Sequence, residues 1–177
     1  MIKKYFFKQN SALYFIPFVA ILVYCLISSI NFNLHDFSNS YFSARLISDN
    51  LNSDKLFDIY EFNNYIWNLG YDDVLVDFYL NSPFTITVFY PLTFIENAYT
   101  AKLVFNIFSI ILFTLSMYLL IKLKFKKKYW ILLVLPFIFF IPIRNQILFG
   151  QSYFLVFSLI IFGFLFMENK REGIGAS

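Results

Sequence analysis

Residues 31–46 read NFNLHDFSNSYFSARL and residues 76–92 read VDFYLNSPFTITVFYPL. They open and close a polar, acidic segment, Asn31–Pro83, set between two apolar runs of membrane length, Ser11–Ile30 and Ala98–Leu123. Asp36, Asp49, Asp54, Asp58, Glu61, Asp72, Asp73 and Asp77 lie in it against Arg45 and Lys55 alone. The fold turns on this alternation. A polar loop between hydrophobic anchors describes a polytopic membrane protein, and any chemistry belongs in the loop, where Asp36 leaves the first anchor.

Working outward, hydrophobic residues make up 59% of the 177, with 26 Phe, and the mean hydropathy is +0.65. Soluble domains are close to half apolar and rarely gather the excess into uninterrupted stretches. A helical span needs roughly 20 apolar residues. Ser11–Ile30 (11–30), Ala98–Leu123 (98–123) and Gly150–Met167 (150–167) answer to that length, and Tyr129–Ile143 (129–143) approaches it with lysine stems snorkelling before it. The expected fold class is therefore an all-α polytopic membrane protein of four transmembrane helices in one membrane domain, with residues 31–97 as its first extracytoplasmic loop.

The net charge of +3 is sorted by side, which argues against a nucleic-acid partner. Lys3, Lys4 and Lys8 precede the first run, Lys122, Lys124 and Lys126–Lys128 separate the second from the third, and Lys170 and Arg171 follow the fourth. The positive-inside rule places all three clusters, and hence both termini, in the cytoplasm. The acidic loop and a short Arg144–Gln151 turn then face outward. Membrane lipids are the expected surroundings.

Within the loop, Phe37, Tyr41, Ala44, Ile47 and Leu51 recur at steps of three and four, predicting a helix with one apolar face, lying along the membrane surface. Asp36 falls at its start. Asp58 and Glu61 form a variant capping box before a second helix, with Ile59, Phe62, Ile66 and Leu69 as its apolar face and Gly70 as its stop. Tyr71–Leu80 shows no clear period. Ser82-Pro83 reads as an N-cap with proline in the first turn. The β-branched run after it is expected to be a short helix ended at Pro91, because an unpaired strand is costly in a membrane setting. Glu96-Asn97 can cap the second span, and Pro136 and Pro142 interrupt the third.

Each candidate residue has a plain reading beside a chemical one. Asp36 is either an exposed helix cap or a general base facing a cleft. His35, the one histidine, is either a solvated interfacial side chain or a proton relay or phosphate contact; alone it builds no zinc site. Asp72, Asp73 and Asp77 lack the spacing and glycine turn of a calcium loop and read as solvated acid. Arg144, at the outer edge of the third span with Gln151 nearby, either snorkels or pairs with a lipid phosphate. Cys25, the one cysteine, lies mid-span and forms no internal disulfide or thiolate cluster. No metal or cofactor is expected.

The order of these features resembles a known family. Asp36-Phe37 follows the first span, with Tyr41 and Ala44 along the next helix. Leu56-Phe57-Asp58 is similar to a Leu-Tyr-Asp step, Asn81-Ser82-Pro83-Phe84 to a Tyr-Pro-Pro-Phe step running on to Pro91-Leu92, and Arg144 with Gly150-Gln151 to an Arg…Gly-Gln-x-Asn signature. Together they resemble glycosyltransferase family 87, polyprenyl-phosphate-sugar mannosyltransferases of GT-C fold. Ser82 replaces the first proline of the pair, and Tyr153 or Phe154 stands where the asparagine is expected. The resemblance implies transfer of a sugar from a polyprenyl-phosphate donor to an extracytoplasmic acceptor, with Asp36 as catalytic base and Arg144, Gln151 and His35 toward substrate. It also implies about twice as many spans, so the chain is expected to be the N-terminal part of such an enzyme. The competing expectation is a non-catalytic four-helix scaffold with an acidic docking loop.

Overall fold

The computed structural model describes the backbone of residues 11–78, 82–124 and 139–175, and the side chains of residues 16–78, 82–121 and 139–167. Among these residues the regular elements are helical and no strand forms. In chain order they are α1 (Ser11–Ser29), α2 (Asp36–Ser48), α3 (Ile59–Asn68), α4 (Pro83–Phe89), α5 (Ala98–Lys124), α6 (Phe140–Phe149) and α7 (Tyr153–Gly175). Single 3-10 turns lie at Ser53–Phe57 and Tyr90–Phe94. The chain divides into two compact units: Ser29–Asn106 with Phe149–Gln151, and the described parts of Met1–Ser28, Ile107–Leu148 and Ser152–Ser177.

The first unit is built around α2, which packs against α4, the Tyr90–Phe94 turn and the Ser53–Phe57 turn. The expected apolar face is present, with Phe37, Tyr41 and Ala44 buried, but Leu51 at its far end is exposed. The opposite side differs from expectation: Ser38, Ser40, Ser43, Phe42 and Leu46 are buried as well. α2 is thus enclosed on nearly all sides rather than lying with one polar face open. The serines permit this because a hydroxyl can bond back into its own helix. Ser38 Oγ donates to His35 O and Ser43 Oγ to Asn39 O, each at 2.5 Å. Aromatic rings fill the space around it. Phe37 stacks on Tyr41 at 5.5 Å, and Phe89 meets Phe37 at 5.6 Å and Phe105 at 4.8 Å.

Both loop helices stop by the same device. After α2, Asn50 takes a left-handed φ of 55°, and Asn50 N–H donates to Ile47 O and Leu51 N–H to Leu46 O. After α3, Gly70 takes φ 88°, with Gly70 N–H on Trp67 O and Tyr71 N–H on Ile66 O. Each pair of bonds is a Schellman closure, which satisfies carbonyls the helix leaves open. The expected cap at Asp58 is present: one carboxylate oxygen accepts from Tyr60 N at 3.0 Å and Glu61 N at 3.1 Å. Glu61 does not close the box, and its carboxylate pairs with Lys55 at 3.3 Å instead. On α3, Phe62 and Ile66 are buried while Ile59 and Leu69 are exposed.

The segment after Gly70 has a period that the sequence reading missed. Val74, Val76 and Phe78 are buried, while Leu75 between them is 76% exposed. This is the two-residue alternation of an extended chain, yet among the described residues no strand pairs with it. Side-chain amides replace the ladder. Asn63, buried on α3, accepts from Val76 N at 2.9 Å and donates to Val76 O at 3.0 Å. Asn39 on α2 accepts from Asp77 N at 3.2 Å.

Ser82 caps α4 with Pro83 in its first turn, and Tyr90-Pro91 converts the helix to a 3-10 turn, as the helical reading of this stretch expected. Asn97 caps α5, its Oδ1 accepting from Thr100 N at 3.0 Å.

In the second unit Phe18, Leu22, Cys25, Phe113, Ile147 and Phe154 form the core, with Phe113 and Phe154 stacked at 4.2 Å and nearly parallel at 6°. Ser116 and Ser158, both buried, lie 3.4 Å apart through their hydroxyls. Around this core the surface is apolar: Val23, Ile27, Phe108, Ile111, Leu159 and Phe166 are among the exposed side chains. An apolar surface of that extent suits lipid better than water. Among the described residues one helix, Ala98–Ile121, is long and apolar enough to cross a membrane, and the bent pair α6 and α7 makes up to a second. Of the expected third span, residues 129–138 lie outside the described residues, and its end forms the start of α6. The expected Arg144–Gln151 turn is replaced by helix up to Phe149. The chain then bends by 109° between Phe140–Phe149 and Tyr153–Met167. Gly150, at φ 66°, supplies the left-handed residue this break needs. Pro142 falls in the first turn of α6, where its missing N–H breaks no helical bond.

Candidate active site

The site is built where the chain leaves α1. Residues 30–35 form a tight connection before α2, and its geometry is unusual. His35 precedes the first helical residue with φ 45° and ψ −134°, a conformation that costs a non-glycine residue roughly 1–3 kcal/mol. Contacts on three sides hold it there. Its ring lies against Phe32 (5.4 Å, 14°) and Phe149 (4.6 Å, 31°), which also meet each other at 5.9 Å, so the three rings form a triangular cluster. Its carbonyl accepts from Ser38 N at 2.9 Å and from the Ser38 hydroxyl. Beneath the connection, Lys102 on α5 is only 2% exposed. Its ammonium donates to Asn33 O at 2.5 Å and Phe32 O at 3.3 Å, and lies 5.6 Å from the Phe32 ring centroid.

Asp36 is the first residue of α2 and is exposed. The carboxylate sits at the positive end of the helix dipole, a favourable place for an anion. Gln151 reaches it from the 149–151 segment, Nε2 donating to Asp36 Oδ2 at 2.6 Å. That segment is fixed by close packing: a Cβ on Gly150 would stand 2.7 Å from Phe37 Cβ. Gln151 thus holds the exposed Asp36 carboxylate through one of its two oxygens.

His35, Asp36 and Gln151, expected at the site from sequence, come together in the first unit. Asp36 fills the first helical position and its carboxylate is held by Gln151, which accounts for it better than a capping role. His35 is exposed as a residue, and its ring packs against the edge of a Phe32–Phe149 pair. Arg144 belongs to the second unit, where it is exposed in the middle of α6. Lys102 was missed. The signal that could have found it is a single charge inside an apolar helix, which is costly unless paired and therefore points to a specific partner.

Farther along α2, Arg45 pairs with Asp49 at 3.2 Å and donates to Thr93 O at 3.2 Å. Tyr65 donates to Asp49 Oδ2 at 2.7 Å. Burial pushes the Tyr65 hydroxyl's pKa up, and the bond to the carboxylate pushes it the same way. Among the described residues no cluster of His, Cys, Asp or Glu is arranged to hold a metal ion.

The described residues are helical, one unit has an apolar, lipid-type surface, and the other holds one carboxylate bonded to a glutamine amide. The family model of glycosyltransferase family 87 matches residues 79–177, more than half of the chain, and the chain belongs to that family. Membership makes it a glycosyltransferase and a membrane protein by class. The matched residues include Arg144 and Gln151, while His35 and Asp36 precede them. No curated protein and no solved structure matches the chain.

Proposed function

We propose that the chain catalyses transfer of a hexose, of the mannosyl type, from a polyprenyl-phosphate donor to an extracytoplasmic acceptor, with Asp36 as general base. In this reading the protein has a GT-C-type membrane domain, with residues 31–97 outside and both termini inside. The observation that carries it is the exposed carboxylate of Asp36, held by Gln151 through one of its two oxygens, immediately after the first apolar helix. A base there can meet an acceptor arriving from water while the donor's tail stays in the bilayer.

The chemistry is a single displacement with inversion. The acceptor hydroxyl oxygen attacks the anomeric carbon and gives its proton to Asp36, and the bond from that carbon to the phosphate oxygen breaks. The lipid phosphate leaves with the electron pair; a guanidinium suits its charge, and the family resemblance alone points to Arg144 for that part. Gln151 acts through Asp36 as a positioning residue.

General-base catalysis contributes typically about 10²–10⁴-fold. Asp36→Asn, which keeps size and removes the base, is expected to lower sugar transfer from a radiolabelled polyprenyl-phosphate mannose by about that factor. Gln151→Leu is expected to lower it less. Unchanged transfer by Asp36→Asn in membranes would sink the assignment and leave the acidic loop as a docking surface.

A further inference from the structure

The outer face of α4 and of the 3-10 turn that continues it is apolar and uncovered. Along Pro83–Phe94 the inward side carries Phe89 and Thr93, both buried, and Ile86, packed against the core. The outward side carries Phe84, Thr87, Tyr90, Pro91 and Phe94, at steps of three and four, which put them on one face of a helical run. All five are exposed, Phe84 at 70% and Phe94 at 80%. Tyr90 and Phe94 meet edge to face at 6.2 Å.

Two observations indicate what covers this face. The first is charge. No charged residue occurs between Asp77 and Glu96. Elsewhere in the unit Phe57, Tyr60 and Leu75 are also exposed, but each stands within two residues of a carboxylate, at Asp58, Glu61, and Asp73 with Asp77. Single apolar side chains among charges need no cover, whereas a contiguous apolar face does.

The second is continuity with the membrane span. The apolar part of α5, Ala98–Ile121, has 24 residues. At 1.5 Å per residue it is about 36 Å long, against a hydrocarbon core of about 30 Å, so its ends reach the edges of that core. Phe94 stands four residues before Ala98, a chain length of at most about 14 Å. The face is therefore tethered to the bilayer surface. Aromatic rings are favoured at that level, where a helix lying in the interface buries its apolar face by about 5–10 Å. With no lysine or arginine on it, the face has no attraction for anionic headgroups.

We propose that Phe84, Thr87, Tyr90, Pro91 and Phe94 seat the first unit in the bilayer interface, among the headgroups and upper acyl chains of neutral lipids. The surface-lying role that periodicity assigns to α2 then belongs to α4. The enclosed α2 packs against α4 and its turn and is held at the membrane surface through them. The inference stands on the membrane class of the protein and is independent of the catalytic reading.

The test is electron paramagnetic resonance on the full chain in phosphatidylcholine nanodiscs. Nitroxide labels are placed by Thr87→Cys and Phe94→Cys on the face and by Tyr60→Cys on α3, outside it, each in a Cys25→Ala background. Power saturation gives the ratio of collisions with oxygen, which partitions into lipid, to collisions with a water-soluble nickel chelate. That ratio is expected to be several-fold higher at residues 87 and 94 than at residue 60, and no higher when anionic phosphatidylglycerol is mixed in. Ratios at residues 87 and 94 no higher than at residue 60, or a rise seen only with phosphatidylglycerol present, would overturn the proposal. So would labels at residues 87 and 94 shielded from both reagents, because a second copy or another protein segment would then cover the face.

Discussion

At the scale of single residues, two left-handed glycines separate backbone strain from crowding. Gly70 and Gly150 both have positive φ, but a Cβ on Gly70 meets nothing within 4 Å, whereas one on Gly150 meets Phe37 at 2.7 Å. Gly70→Ala should therefore cost about 1 kcal/mol, from conformation alone. Gly150→Ala adds overpacking against a buried ring, about 1–3 kcal/mol more. Thermal unfolding in detergent should show the larger fall for Gly150→Ala, with Gln151 displaced and transfer reduced. Equal shifts would mean that the 149–151 segment does not pack as described. Sequence alone marks Gly150 as a candidate helix stop. It does not show that Phe37, far away in the chain, comes close enough to exclude a methyl group.

At the scale of elements, the connection into α2 depends on α5. Lys102 donates to two successive carbonyls of that connection through part-buried bonds, so losing them costs less than the roughly 1–3 kcal/mol of a fully buried acceptor left without a donor. Lys102→Met keeps length and apolar stem but removes both bonds, while relieving the burial of a charge, so net stability is a poor readout. Local order is the better one. Hydrogen–deuterium exchange should quicken at the amides of residues 35–38 in the Lys102→Met protein while the α3 amides stay unchanged. Exchange unaltered at residues 35–38 would remove Lys102 from the positioning machinery.

The same scale explains what could be read in advance. The starts and stops of α3 and α4 were legible because Asp58, Gly70, Ser82 and Pro83 act within a few residues of themselves. The Val74–Phe78 ribbon was not, because Tyr71–Leu80 is interrupted by acids and aromatics. Its bonding partners, Asn63 and Asn39, are amides at distant positions. The enclosure of α2 was likewise hidden. Serine at Ser38 and Ser43 looks like a solvent face until its hydroxyl is seen to bond inside the helix.

At the scale of the whole molecule, orientation across the bilayer is the open physical variable, and charge predicts it. Cys25, the one cysteine, is buried, so replacing it with alanine gives a background for single-cysteine labelling. Asp73→Cys, at an exposed loop position, should react with a membrane-impermeant maleimide on intact cells. Lys126→Cys, in the basic cluster, should react only after the membrane is opened. The reverse pattern would invert the topology and place Asp36 on the cytoplasmic side.

By itself the sequence determined that the chain is helical and membrane-embedded, and that a polar segment follows the first apolar run. These follow from composition, periodicity and short-range caps, which act locally. It also singled out Asp36, His35 and Gln151. Only the tertiary structure decided that the three meet, that Arg144 lies in the other unit, and that Lys102 underpins the connection before Asp36. A carboxylate becomes oriented only when a distant chain segment brings it a donor. That depends on the bend at Gly150 and the packing of Phe37, neither of which is encoded within any one stretch.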